Sequence, residues 1–358
     1  MNSEINIQST AENVTYKLRD LYERYGYAQF KMNKFEEYDL YVRNKSFLLS
    51  DHIITFTDTD GKLMALKPDV TLSIVKSSKD SEDGLRKVYY NENVYRVPKG
   101  AFSFKEIMQT GLECIGNIDA YSVTEVLTLA AKSLEAISED FVLDVSDLGI
   151  ISALIDSMGA DKEERARLLE AVGEKSVHSI ASICLELGID EKKTKTLISI
   201  VSMKGGESEM LEILKCCDCF AEAERFAEIM TILSERFGQK VRIDFSVIDD
   251  MRYYNGIVFK GFVKGIPTSV LSGGRYDGLM SRMGKSGGAI GFAVYLDLID
   301  SLDDEADEYD TDVFVLYKKE SSLKTVADTV ESCIKEGKKV QSGKTAPMGL
   351  RYKELIEL

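Results

Sequence analysis

Gln109 and Glu113 stand four residues apart in FKEIMQTGLECIG, with Gly111 midway between them. If this run is a strand, Lys105, Ile107, Gln109, Gly111 and Glu113 share one face, and Met108, Thr110, Leu112 and Cys114 share the other, apolar one. At strand rise the amide and the carboxylate lie about 13 Å apart. A polar group at each end of a bare floor could hold a small amino acid. A solvent-facing strand with incidental polar residues has the same pattern.

Three other stretches carry residue types suited to binding. In LKPDVTLSIVK, Asp69 and Thr71 offer a carboxylate and a hydroxyl just after the rigid Pro68, and together they could hold an ammonium group. Either could instead cap a helix running through Ile74. In GGRYDGLMSRMG, Gly273 and Gly274 precede Arg275, which suits close backbone approach to a ligand or neighbour, or a tight turn. Tyr253 and Tyr254 open YYNGIVFKGFV and suit a pocket wall. The segment before them, DDMR from Asp249 to Arg252, puts two acids where chemistry on a phosphate would want a cation.

Several chemistries have no support. GKSGG at Gly284 lacks the phosphate-loop glycine, because Leu279 stands at that position. With His52 and His178 the only histidines, no Ser-His-Asp or Cys-His arrangement can be argued. Cys216, Cys217 and Cys219 form one crowded group rather than two separated ligand pairs, so no metal site is expected. Free thiols fit a reducing cytoplasm.

The elements that must position these residues follow from periodicity. Residues 10–27 predict an amphipathic helix with Leu18, Leu21 and Tyr22 on one stripe. Asp60-Gly61 between two apolar runs predicts a hairpin. LRKVYYNENVYRV and FKEIMQTGLECIG predict a second antiparallel pair, residues 121–137 a helix, and FVLDVSDLG a strand entering a helix near Ile150. From about 150 to 238 the periods are helical, including MLEILKCCDCFAEAERFAEIM. Strands resume with KVRIDFSVI, the hairpin of YYNGIVFKGFV and IPTSVLSGG, and GGAIGFAVY. This predicts an α+β fold: an antiparallel sheet built from 1–149 and 239–303, a helical insertion at 150–238, and a βα segment at 311–358. At 48 residues, that last segment is marginal as an independent domain.

The chain has 358 residues and a net charge of −15, which repels phosphate backbones and argues against nucleic acid as a partner. No run of eighteen apolar residues predicts a membrane span, and the N-terminus lacks the apolar core of a signal peptide, so a cytoplasmic location is expected.

In order and roughly in spacing, ALKPDVTLSIVK, VYRV…EIMQTGLECIG, YYNGIVF and SGGRYDGLMSRMG…AIGFAVYLDL resemble histidyl-tRNA synthetase, over about residues 10–300. The resemblance implies a class II synthetase fold, normally dimeric. It implies that Asp69, Thr71 and Gln109 hold an α-amino group, that Glu113 and Tyr254 read an imidazole, and that Tyr253 and Arg96 lie beside them. It also exposes departures. Asp249 stands at the position of the arginine that assists activation, and Leu298 at that of the ATP-binding arginine. VPKGAFS lacks the glutamate and arginine that grip ATP, Asn33 replaces the dimer-motif proline, and Lys67 replaces the usual arginine. NGI follows the tyrosines where threonine-glycine is commoner, and the anticodon-binding domain is reduced to the tail.

A histidine site without ATP chemistry resembles the regulatory subunits of ATP phosphoribosyltransferase. These are synthetase-like proteins that pair with a short catalytic subunit in the first step of histidine biosynthesis. The resemblance implies no cofactor, no catalytic activity of the chain's own, L-histidine as effector and a homodimer within a hetero-oligomer.

Overall fold

A computed structural model describes residues 10–48, 52–78, 84–97, 103–203, 205–248, 254–299 and 309–358. The chain divides into a large unit, Val14–Ile299, and a smaller one that holds the C-terminal segment.

In the large unit, helix α1 (Thr10–Arg24) buries Val14, Leu18 and Tyr22, one per turn, and turns Arg19 and Glu23 outward as an i,i+4 pair. It stops short of the predicted Tyr27 because Gly26 takes a φ of +80°, letting the Tyr27 amide reach back to the Tyr22 carbonyl. Strand β1 (Ala28–Gln29) follows, then β2 (Phe35–Glu37), α2 (Tyr38–Arg43), β3 (Thr55–Thr57), β4 (Leu63–Leu66) and α3 (Thr71–Ser77). Strands β3 and β4 form the predicted hairpin around Asp60-Gly61, and β2 pairs on the other side of β4.

The two long strands come next, β5 (Arg86–Arg96) and β6 (Lys105–Gly116), paired antiparallel from Arg86↔Ile115 to Arg96↔Lys105. Helix α4 (Ala120–Ile137) starts where the Asp119 carboxylate accepts from the Ser122 amide at 2.7 Å. Strand β7 (Phe141–Asp147) leads into six helices: α5 (Leu148–Asp156), α6 (Lys162–Gly173), α7 (Val177–Glu186), α8 (Glu191–Ser202), α9 (Glu207–Leu214) and α10 (Phe220–Phe237). The expected continuous helix through CCDC is broken. Cys216 and Cys217 lie in the turn between α9 and α10, where the Cys217 amide closes back on the Leu214 carbonyl, and Cys219 is buried just before α10. Short polar and thiol side chains carry too little helix propensity to bridge the two apolar stretches.

The sheet is completed by β8 (Val241–Ile243), β9 (Ile257–Val263), β10 (Leu271–Arg275), α11 (Asp277–Arg282) and β11 (Gly288–Tyr295). Among the described residues the order is β1-β5-β6-β11-β10-β9-β7-β8. The interior pairs are antiparallel, while the edge pairs β1–β5 and β7–β8 are parallel. One face packs on helices: the Tyr22 ring of α1 lies 6.1 Å from both Tyr89 and Phe292, and its hydroxyl bonds Ser133 of α4 at 2.9 Å. Gly261 leaves room there for the Leu134 methyl groups, which would stand 2.6 Å from a Cβ. On the other face, Val88, Tyr90, Val94 and Ile115 form a core with Tyr41, Leu72, Val75, Tyr276 and Leu279 from α2, α3 and the α11 region.

The C-terminal segment forms β12 (Thr311–Leu316), α12 (Leu323–Lys335), β13 (Val340–Gly343) and β14 (Tyr352–Glu357). Its sheet order is β13-β12-β14, all parallel. The sequence predicts the first strand, the helix and KKVQ; β14 is an addition, with Phe314 and Tyr352 stacked at 5.8 Å. Among the described residues no helix is long and apolar enough to cross a membrane.

Candidate functional site

Strand register lays out a floor on the second face. Residues paired across neighbouring strands point the same way, so the face reads as three rows. The first holds Val88, Glu113, Gly291 and Gly274; the second Tyr90, Gly111, Ala293 and Ser272; the third Glu92, Gln109 and Tyr295. The middle of this floor is made of small residues. At Gly111 a Cβ would meet the Phe292 carbonyl at 2.2 Å and the Tyr90 hydroxyl at 2.6 Å, so the Tyr90 ring lies over the gap that the glycine leaves. The paired glycines of GGRY are strand residues, not a turn. A Cβ at Gly274 would come within 2.6 Å of the Tyr254 ring, which therefore rests on that strand.

Glu113 is the centre of one end. It is 2% exposed, and its carboxylate lies over Gly291, where a Cβ would stand 1.7 Å from Oε2. Thr71 Oγ1 donates to Oε1 at 2.7 Å, and the Tyr276 hydroxyl donates to Oε2 at 2.5 Å. Burial pushes the Glu113 carboxyl up to about 8; the two hydrogen bonds pull against this and the Asp69 charge adds to it. Tyr90, fully buried alongside, is held neutral by burial first and then by Glu113 and Asp69.

Asp69 sits in the bend before α3, where Oδ1 accepts from the Leu72 amide at 2.8 Å, a helix-start bond of the kind the sequence allows. Burial raises its carboxyl, while the Leu72 bond and the charge of Arg96 oppose the rise. Thr71, which the resemblance sets at the ammonium end, here donates to Glu113 and ties the α3 start to the far end.

Arg96 is 8% exposed, its guanidinium held 6.0 Å above the Tyr295 ring. Among the described residues it has no hydrogen bond or ion pair. Gln109 is 5% exposed and its side-chain amide likewise has no hydrogen-bond partner among them. Among the described residues the buried side-chain atoms without a hydrogen bond are Tyr41 Oη, Ser73 Oγ, Asn91 Oδ1 and Ser146 Oγ. The polar ends of Arg96 and Gln109 are not among them; they keep access to solvent and are free to meet a polar group of a ligand. Lys67 cannot serve in the same way, because it is buried in an ion pair with Glu92. Arg275 is committed to Asp277 at 2.8 Å, and Asp277 in turn accepts from the Ala289 amide. Leu298 lies in the turn after β11, and the neighbouring Asp297 accepts from the Met108 amide at 3.0 Å.

Asp69, Thr71, Arg96, Gln109, Glu113 and Tyr254 thus gather on one floor. Tyr253, Asp249 and its neighbours through Arg252, and the centre of VPKGAFS lie outside the described residues. Sequence reasoning missed Tyr276, Tyr90, Gly291 and Tyr295. Tyr276 stands inside a quoted motif, but its bond to Glu113 spans 163 residues of chain. Alternation along β5 would have placed Tyr90 on the same face as Val88 and Val94. Among the described residues no cluster of three or more His, Cys, Asp or Glu could hold a metal.

The arrangement matches the dipolar form of an amino acid: an arginine for a carboxylate, a carboxylate and an amide oxygen for an ammonium, and a buried carboxyl with phenols for a polar side chain. A family model described as Histidyl-tRNA synthetase matches residues 7–299.

The chain belongs to the histidyl-tRNA synthetase family.

Within the family, a curated relative from Clostridium kluyveri, named ATP phosphoribosyltransferase regulatory subunit, is 30% identical over 320 residues, 85% of this chain and 82% of that protein. The fold matches the crystal structure of an ATP phosphoribosyltransferase regulatory subunit/histidyl-tRNA synthetase from Bacillus halodurans with a TM-score of 0.74, at 20% identity over 97% of this chain and 93% of that one. It also matches a chain of the ATP phosphoribosyl transferase complex from Thermotoga maritima, with a TM-score of 0.61 and 18% identity over 79% of this chain and 96% of that one. The histidyl-tRNA synthetase fold accounts for the central antiparallel sheet and for the helices that cover its back.

Proposed function

We propose that the chain is a regulatory subunit of ATP phosphoribosyltransferase without catalytic activity of its own. It binds L-histidine on the floor between Arg96 and Glu113, docks the short catalytic subunit, and couples histidine occupancy to that partner's activity. Two lines support this: relatives of this name matched over most of the chain, and a complex of known structure in which a chain of this fold occurs. The observation that carries it is the grouping of Arg96 and Gln109, whose side chains have no hydrogen bond among the described residues, with two carboxyls, Asp69 and Glu113, around a floor of glycines.

The roles follow from chemistry. Arg96 takes the α-carboxylate, and Asp69 with the Gln109 carbonyl takes the ammonium. Glu113, oriented by Thr71 and Tyr276, meets one imidazole nitrogen, and Tyr254 stands nearby to meet the other. Leu298 brings no positive charge to a triphosphate, and Lys67 is neutralised by Glu92. Histidine that binds one conformation of the complex better than another shifts the partner by that difference in affinity. A homodimer inside the hetero-oligomer completes the proposal.

Titration calorimetry with L-histidine tests the site, and co-purification with a short-form ATP phosphoribosyltransferase tests the partner. Histidine binding with no histidine-dependent ATP–pyrophosphate exchange is the expected result. Exchange activity in the purified chain would establish a synthetase instead.

A further inference from the structure

The third row of the floor differs from the other two. Along β11 the pocket-facing residues run Gly291, Ala293, Tyr295, so the bare strip ends abruptly at a phenol. Directly beside Tyr295 on β6 is Gln109, and beside that on β5 is Glu92, which holds buried Lys67. The Tyr295 hydroxyl reaches back one row to Ser272 with a 2.6 Å hydrogen bond, and the Arg96 guanidinium lies over the ring's face. The ring is therefore fixed at both its tip and its face.

We infer that Tyr295, with the Lys67–Glu92 pair beside it, is the end wall of the ligand site and limits the ligand to a free α-carboxylate. The inference rests on the proposed amino-acid site and adds a size limit to it. Over the first two rows the small residues let the Glu113 carboxylate, Tyr90 and Tyr254, the groups that would line the ligand, lie close on the floor. At the third, the aromatic ring and an ion pair occupy the line along which any group attached beyond the carboxylate would run. Arg96 sits on that same ring, so the carboxylate it holds meets the wall directly. An amino acid extended through its carboxyl, as an ester, amide or peptide, would have to displace the Tyr295 ring. That motion breaks the Ser272 bond and removes the surface on which Arg96 is stacked. Tyr295 is thus a specificity-determining residue: it separates free histidine from activated or peptide-linked histidine without touching the imidazole.

Calorimetric titration of the full chain with L-histidine and with the dipeptide histidyl-glycine provides the test. The dipeptide keeps an imidazole, an ammonium and a carboxylate but moves the carboxylate outward. Wild-type protein should bind it at least 30-fold more weakly than histidine. Tyr295→Ala should bring the two within about 5-fold of each other, while Tyr295→Phe, which keeps the ring and loses the Ser272 bond, should preserve most of the wild-type ratio. Wild-type affinities within 3-fold of each other would overturn the end wall and leave the histidine site standing. So would an unchanged ratio in a folded Tyr295→Ala protein; should that variant not fold, the wild-type ratio decides alone. Failure of wild-type protein to bind histidine at all would remove the site itself, and the wall with it.

Discussion

The two faces of β5, β6 and β11 alternate along the same residues yet are built for opposite ends. On the helix side, Tyr89, Leu112, Cys114, Phe292 and Val294 are buried against α1 and α4, and Tyr22 finds Ser133 for its hydroxyl. On the floor side, glycines replace bulk, the Arg96 and Gln109 side chains have no hydrogen-bond partner among the described residues, and Glu113 is buried deeply enough to lift its carboxyl to about 8. Both faces are packed, the floor side against α2, α3 and the α11 region, but only the floor side also gathers Arg96, Gln109 and Glu113 around small residues. A sheet two residues in period lets one segment of sequence do both.

The sharpest break of this comparison is on the helix side. Leu112→Ala, fully buried, should lower unfolding stability by about 2–5 kcal/mol in chemical denaturation while leaving the ratio of histidine to dipeptide affinity unchanged. A loss of under about 1 kcal/mol would mean that face is not the packed core described.

The next effect is on the floor and depends on pH. Because the folded carboxyl of Glu113 lies above its ordinary value, its contribution is fully present below the normal carboxylate range. It is lost as pH rises toward about 8 and levels off beyond. Wild-type stability should drop by roughly 2–4 kcal/mol more than that of Glu113→Gln between pH 4 and 9. Parallel stability curves for the two proteins would show that Glu113 ionises freely.

Smaller changes sharpen the division of labour within the floor. Glu113→Gln should weaken histidine binding above pH 8, where the carboxyl is ionised, by roughly 10- to 100-fold in calorimetry, since an amide oxygen accepts less strongly than a carboxylate. Arg96→Lys should cost roughly 5- to 20-fold, because an ammonium cannot pair bidentately with a carboxylate or stack flat on Tyr295. The smallest effect belongs far from both faces: Arg19→Ala removes an exposed pair and should change stability by less than about 0.5 kcal/mol.

Much of the architecture is legible in the sequence because it is local. Alternation gives the long strands, Asp60-Gly61 the hairpin, and helical periods the run from α5 to α10. The edge strand β1 is not legible, since two residues show no period of their own; β8 falls in the predicted strand KVRIDFSVI, but its three-residue extent and its parallel pairing with β7 depend on the neighbouring strand. Strand β14 escapes sequence reading because its register depends on β12, forty residues upstream. For the site, residue type and the family resemblance pick out Asp69, Thr71, Arg96, Gln109, Glu113 and Tyr254. They leave open whether Gln109 and Glu113 face solvent.

By itself the sequence determined which residues could share a face and to which family the motifs belong, since spacing along the chain carries that information. Only the tertiary structure decided that the shared face is buried, that Tyr276 and Thr71 meet the Glu113 carboxylate, and that Tyr295 ends the floor. Those outcomes depend on pairings across as many as 163 residues, and desolvation and hydrogen bonding act through space rather than along the chain.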